Sequence, residues 1–288
     1  MAQPLSAADV VTALRAEGVT VVQVGSWRTH NRNSKGAWGP LNGSIVHHTV
    51  TKGTASTVAM VRDGYTSLPG PLCHGMIAKD GRVHMVGWGR TNHAGGGDPA
   101  VLAQVVAESY GTRPTPPTRG NLNGVDGNSH FYGWECENLG DGKDPWPAAQ
   151  YDAIVRVQAA LCRAHGWSAK SVIGHLEWSN DKVDPRGFTM PDLRADVAER
   201  LTHPASWTPS STPSKEDNAM ATTPDAVWKA DVIPAAAPPY NNSDFAKNKT
   251  WTASYALGSA VLTGRRIEAK VDALAKAVAA LTALLKKG

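Results

Sequence analysis

Three short segments of the 288-residue chain place metal-binding side chains at or beside strand-like apolar runs. They are Ser44-Ile45-Val46-His47-His48-Thr49, Val172-Ile173-Gly174-His175 and Asp181-Lys182-Val183-Asp184-Pro185. Any one of the ten histidines, taken alone, reads as a surface or hydrogen-bonded core residue; the combination carries more weight. A hydrolytic zinc ion takes three nitrogen, sulfur or carboxylate ligands and keeps a fourth position open for water. His47, His175 and Asp184 meet that count. Two of them come from strand ends or the loops beside them, as a rigid site requires. Asp184 follows His175 by nine residues, so one loop can fold back to complete the set. Successive strand residues face opposite sides, so only one of His47 and His48 can point at the ion. Asp181 is a rival to Asp184.

In this order the motifs resemble the type 2 N-acetylmuramoyl-L-alanine amidases, a family of phage endolysins, bacterial muropeptide amidases and catalytic peptidoglycan recognition proteins. That family has a strand ending in His, much later a Gly-His, and shortly after it a Cys or Asp followed by Pro. Here these read Val46-His47-His48-Thr49, Gly174-His175 and Asp184-Pro185, within a resemblance covering roughly residues 40–202. The resemblance implies that His47, not His48, is the first ligand, and that Asp184 stands where other members have Cys. It implies that Lys182 lies beside the metal, where its ammonium can stabilise an oxyanion. One branch of the family takes its general base from a Tyr that this chain lacks, having Cys73 and His74 in that region. Another uses a Glu matched by Gly133-Trp134-Glu135; Glu137 shares its strand face and stays a candidate. His93, in His93-Ala94-Gly95, matches a segment associated with the substrate groove, and Trp88 and Trp178 are further candidates to line it.

The elements that must position these residues are legible as alternating strand and helix patterns, which indicates an α/β domain with a central mixed sheet flanked by helices. Strands are expected at Thr20–Val24, Ser44–His48, His74–Lys79, Arg82–Val86 and Phe131–Glu137. Asp80-Gly81 forms a hairpin turn between the third and fourth. Helices are expected after Ser6, at 54–63, at 98–109 with Asp98 as cap, at 147–165 with Ile154, Val157, Leu161 and Cys162 on one face, and at 191–201. The Pro-, Gly- and Asn-rich segment Gly111–Asn128 has no periodicity and is expected to border the site.

A Pro/Ser/Thr-rich stretch at 204–219 separates a catalytic domain, 1–203, from a small, mostly helical module, 220–288. Residues 220–288 hold nine Lys/Arg against five Asp/Glu, so the whole excess of +4 lies there. That excess suits an anionic wall polymer or membrane surface and is too sparse for nucleic acid. Ile267, Val271, Leu274, Val278, Leu281 and Leu285 make a heptad seam, so a homo-oligomer through 267–285, a docked amphipathic helix and a membrane-surface helix are all open. Trp228, Tyr240, Trp251 and Tyr255 can form a carbohydrate-contacting surface, and Met220 permits an internal start.

No apolar run approaches the roughly 20 residues of a membrane span, and the first 18 residues read as a helix and not as an export signal. Three cysteines at irregular spacing read as buried apolar residues of a reducing compartment. The expectation is a Zn2+ hydrolase that cuts bacterial peptidoglycan, made in a host cytoplasm and acting on the wall after release, as a phage endolysin does. The competing expectations are a recognition protein that binds peptidoglycan without cutting it, and a metallopeptidase cutting within the stem peptide.

Overall fold

The computed structural model describes residues 2–208 together with 231–234 and 250–252. The heptad residues 267–285, Met220 and most of the expected linker lie outside the described residues. The chain divides into two compact units, Met1–Thr208 and Pro209–Gly288. In the second, Asp231–Pro234 and Thr250–Thr252 pair antiparallel.

In the first unit the helices are α1 (Ala7–Ala16), α2 (Thr54–Asp63), α3 (Pro99–Val106), α4 (Ala148–His165), α5 (His175–Trp178) and α6 (Met190–Leu201). The strands are β1 (Val21–Gln23), β2 (Gly43–His48), β3 (Gly64–Tyr65), β4 (Leu68–Pro69), β5 (Gly75–Ile77), β6 (Val83–Met85), β7 (Gly96–Gly97), β8 (Val125–Asp126), β9 (Phe131–Cys136) and β10 (Val172–Gly174). Six of them form one sheet in the order β1-β6-β5-β9-β2-β10. Only β5 and β6 run antiparallel, joined by the expected turn, where Gly81 alone takes a positive φ. The mixed sheet with helices on both faces is the α/β architecture that the sequence patterns indicate. The expected strands and helices are all found, with ends moved by a few residues, and β10 follows the strand-like run at Val172–Gly174; the two-residue strands β3, β4, β7 and β8 and the single turn α5 had no counterpart among the expected elements, because they are too short to show a period.

The helices begin and end where their terminal residues can satisfy backbone groups. Ser6 accepts the N–H of Asp9, Asp98 that of Ala100 and Thr189 that of Asp192, and Gly166, at φ 68°, closes α4. One sheet face packs against α1, α4 and α6, burying Val46, Tyr132, Trp134, Ile154, Val157, Leu161 and Val197 in the main core. Full burial of each such aliphatic side chain contributes about 1.5–3 kcal/mol. Beneath this layer Glu17, at the end of α1, accepts from Arg163 Nε of α4 (2.7 Å) and Arg200 Nε of α6 (2.6 Å), which fixes the three helices in register. All three cysteines are free and buried. The opposite face carries two smaller clusters, one of Ile45, Phe131, Ile173 and Trp178 with α3, the other of Cys73, Met76 and Val86 with Val61 of α2. Between them this second face is polar.

Candidate active site

Strand alternation decides which side chains reach that polar gap. Ile45 and His47 share one face of β2, and Val46 and His48 the other; on β9, Phe131, Gly133 and Glu135 share a face, with Tyr132, Trp134 and Cys136 turned to the main core. The parallel register pairs His47 with Glu135 across the two strands and Glu135 with Met76 of β5. A histidine and a carboxylate from distant segments thus stand side by side on neighbouring inner strands of the sheet. His48 faces away: its Nδ1 accepts the Arg186 N–H, and its ring lies against Gly140.

β10 extends the sheet beside β2 and ends at Gly174, so His175, the first residue of α5, is delivered next to His47. The turn is held by Glu177, whose carboxylate accepts the Gly174 N–H at 3.1 Å and both terminal nitrogens of the buried Arg194 at 2.7 and 2.9 Å. The chain then loops back, placing Asp184 over both imidazoles.

The three donors converge. His47 Nδ1 and His175 Nδ1 are 2.9 Å apart, and each is 3.2 Å from Asp184 Oδ2. Around a four-coordinate ion with bonds of about 2.0–2.1 Å, neighbouring ligand atoms sit about 3.3 Å apart. Among the described residues this is the only group of three or more His, Cys, Asp or Glu gathered closely enough to hold a metal ion. The donor set suits zinc, and its triangle matches the ion in size. Burial, reinforced by the charge of His175, lowers the His47 pKa to about 4, which keeps a ring lone pair available at neutral pH. For Asp184, burial is outweighed by the two imidazoles, which hold its carboxyl far below the usual range. Asp181 is occupied elsewhere, accepting the Asn121 N–H at 2.7 Å.

Glu135 has a buried oxygen, Oε2, with no hydrogen-bond partner among the described residues. Burial and the negative charge of Asp184 raise its pKa well above the usual carboxylate range, and the Lys182 ammonium opposes that rise. Lys182 acts on His47 as well, so its charge belongs to this cluster. Glu137, on the same face by period, is committed to structure. Its oxygens accept the Gly53 N–H (2.8 Å) and the Thr54 hydroxyl (2.7 Å), anchoring the start of α2.

The packing encloses His93 and Trp88, two residues expected to contact a groove. Both rings are buried. Trp88 stacks on Tyr132 in the main core and donates its Nε1–H to Leu5 O at 2.9 Å. A ring that bonds its polar edge inside gains more by burial than at a wet surface. His93 fills the space that Gly133 leaves: a Cβ at residue 133 would lie 2.3 Å from the His93 ring. His93 Nδ1 is 3.1 Å from His47 Nε2, behind the donor cluster. Trp178 is likewise enclosed, against the backbone of Gly97 and Gly127. The segment 111–128 does border the site. Thr118 O and Arg119 O accept from Asn180, which ties it to the loop carrying Lys182 and Asp184. Sequence reasoning missed Asn128, Glu177 and Arg194. For Glu177 a signal existed, an acid three residues past the Gly174 that opens the helical turn; for the other two there was none.

The family described as N-acetylmuramoyl-L-alanine amidase, Amidase_2, matches residues 37–187, more than half of the chain, including His47, His93, Glu135, His175, Lys182 and Asp184. The chain belongs to this amidase family. No curated protein sequence matches it. Among solved structures it is similar to the N-acetylmuramoyl-L-alanine amidase LysC from Clostridium intestinale URNW, at 14% identity over 62% of this chain and 97% of that one, with a TM-score of 0.41. The catalytic domain of XlyA is similar at 19% identity over 62% and 99%, TM-score 0.41. The Drosophila peptidoglycan recognition protein PGRP-SA is similar at 15% identity over 58% and 84%, TM-score 0.33. Among the described residues no helix is long and apolar enough to cross a membrane.

Proposed function

We propose that this chain is a zinc-dependent N-acetylmuramoyl-L-alanine amidase that cleaves the amide between the lactyl group of N-acetylmuramic acid and L-alanine in bacterial peptidoglycan, and that it serves a phage as an endolysin. The observation that carries this reading is the meeting of His47 Nδ1, His175 Nδ1 and Asp184 Oδ2 within 2.9–3.2 Å, inside the segment matched by the amidase family. These three residues would hold the zinc. When bound there, zinc polarises the scissile carbonyl and acidifies water.

Glu135, next to His47 across the strands, takes the proton of the attacking water and hands it to the departing amine. The Lys182 ammonium offsets the negative charge that develops on the carbonyl oxygen. Residues 1–203 act as the catalytic domain, 204–219 as a linker and 220–288 as a module that binds the wall or pairs two copies. A protein that only grips peptidoglycan has no use for this donor set, which favours hydrolysis over bare recognition.

The full-length protein should contain zinc in equimolar amount and lyse purified cell walls; chelation should abolish lysis and added zinc restore it. Mass spectrometry of the products should show whole stem peptides, beginning with a free L-alanine amine, detached from glycan. Cuts within the stem, or undiminished lysis after complete zinc removal, defeat the proposal.

A further inference from the structure

Two metal-facing imidazoles can serve as ligands through Nδ1 only if the single proton of each neutral ring sits on Nε2. The contacts behind the rings settle where those protons go. His175 Nε2 lies 3.1 Å from Ala94 O, an oxygen that can only accept, so Nε2 carries the proton. His47 Nε2 lies 3.1 Å from His93 Nδ1. His93 Nε2 in turn lies 3.2 Å from Phe131 O, again an acceptor only, so the His93 proton is on Nε2 and its Nδ1 offers a lone pair. His47 must then donate from Nε2, which leaves its Nδ1 bare. The two supports are consecutive residues, and one side chain holds both: Asn128 Oδ1 accepts the His93 N–H at 2.9 Å and the Ala94 N–H at 2.8 Å.

We infer that His93 and Ala94, clamped by Asn128, form one brace that fixes the tautomer of both His47 and His175 and so prepares the donor triangle for its ion. His93 is a positioning residue, acting through His47 and not on substrate. Its imidazole is well suited to the place, since it relays the hydrogen bond from His47 across the gap above Gly133 to the backbone of β9. This inference rests on the metal site proposed above.

Long-range 1H–15N spectra of the full-length, zinc-free protein at neutral pH test it directly, because they report which ring nitrogen carries the proton. His47, His93 and His175 should all be protonated on Nε2. In His93→Leu, His47 should shift toward the Nδ1-protonated form, and zinc affinity, measured by competition with a chelator, should fall about 10- to 100-fold. His93→Asn places an amide oxygen where Nδ1 stood; it should keep the His47 tautomer and hold zinc affinity within about threefold of the unaltered protein. If His93→Leu does not fold, the asparagine variant decides: retention of tautomer and affinity supports the brace, and loss of both overturns it. Zinc affinity unchanged in a folded His93→Leu protein, or His47 protonated on Nδ1 in the unaltered one, also overturns it. The two proposals fail separately. An Nδ1-protonated His47 in a protein that still takes up equimolar zinc removes the brace and spares the amidase, whereas the expected tautomers without any zinc uptake leave the brace and remove the amidase.

Discussion

The two sides of the donor cluster are built differently. His47 and Glu135 stand on β2 and β9, adjacent parallel strands in the middle of the sheet, with the main core beneath them. Lys182 and Asp184 sit on a loop, whose course is set by ties to neighbouring segments: Asn180 and Asp181 to residues 118–121, and Leu176 N–H to Asp184 O at 2.7 Å. The strand side gains its accuracy from backbone register, which cannot shift by one residue without turning every side chain over. The loop side gains it from a handful of hydrogen bonds, each worth about 0.5–1.5 kcal/mol net. A site assembled this way has a rigid half that presents His47 and Glu135 and a softer half that brings in Lys182 and Asp184.

The comparison can be broken first where its stakes are highest. His47→Ala removes a rigid donor and should abolish equimolar zinc uptake, with wall lysis lost alongside; uptake that persists would mean the strand side is not needed for the metal. Next, Glu135→Gln should leave zinc bound and cut turnover on purified walls by about 10²-fold or more. Lys182→Met, on the loop side, should likewise spare the metal and lower kcat by about 10²-fold. A loss confined to KM would instead make Lys182 a binding contact.

Arg194→Leu probes the support beneath His175. It strands the buried Glu177 carboxylate, and chemical denaturation should show a loss of about 3–5 kcal/mol. The smallest effect is expected at the ties of the loop. Asp181→Ala should weaken zinc binding by no more than about tenfold, since one hydrogen bond of roughly 0.5–1.5 kcal/mol is lost. A loss as large as that of His47→Ala would show that both halves depend on comparable restraint.

Much of this was legible in one dimension. The β2 and β9 patterns, the caps at Ser6 and Asp98, the Gly81 turn and the 147–165 helix follow from local rules, and the structure places them within a few residues of expectation. The choice between Glu135 and Glu137 was not. Both have the same type, the same face and similar neighbours in sequence, and what separates them is α2, which folds back so that Gly53 and Thr54 claim the Glu137 oxygens. His93 was expected at a groove from its motif and Trp88 from its residue type, and neither signal carries depth. Depth depends on what packs from elsewhere in the chain: Leu5 for Trp88, Gly133 and Phe131 for His93.

What the sequence by itself determined is the set of chemical parts, two imidazoles and a carboxylate in an order shared with an amidase family, and the alternation that turns His47 away from His48 and puts Glu135 and Glu137 on one strand face. Period and residue type are local properties, so a linear reading reaches them. Only the tertiary structure decided that these parts meet within 2.9–3.2 Å, that Glu135 Oε2 is left without a partner among the described residues while Glu137 is engaged, and that the His93-Ala94 pair stands behind both rings. Those are contacts between residues separated by up to 137 positions, and no local rule specifies which distant acceptor a buried donor will find.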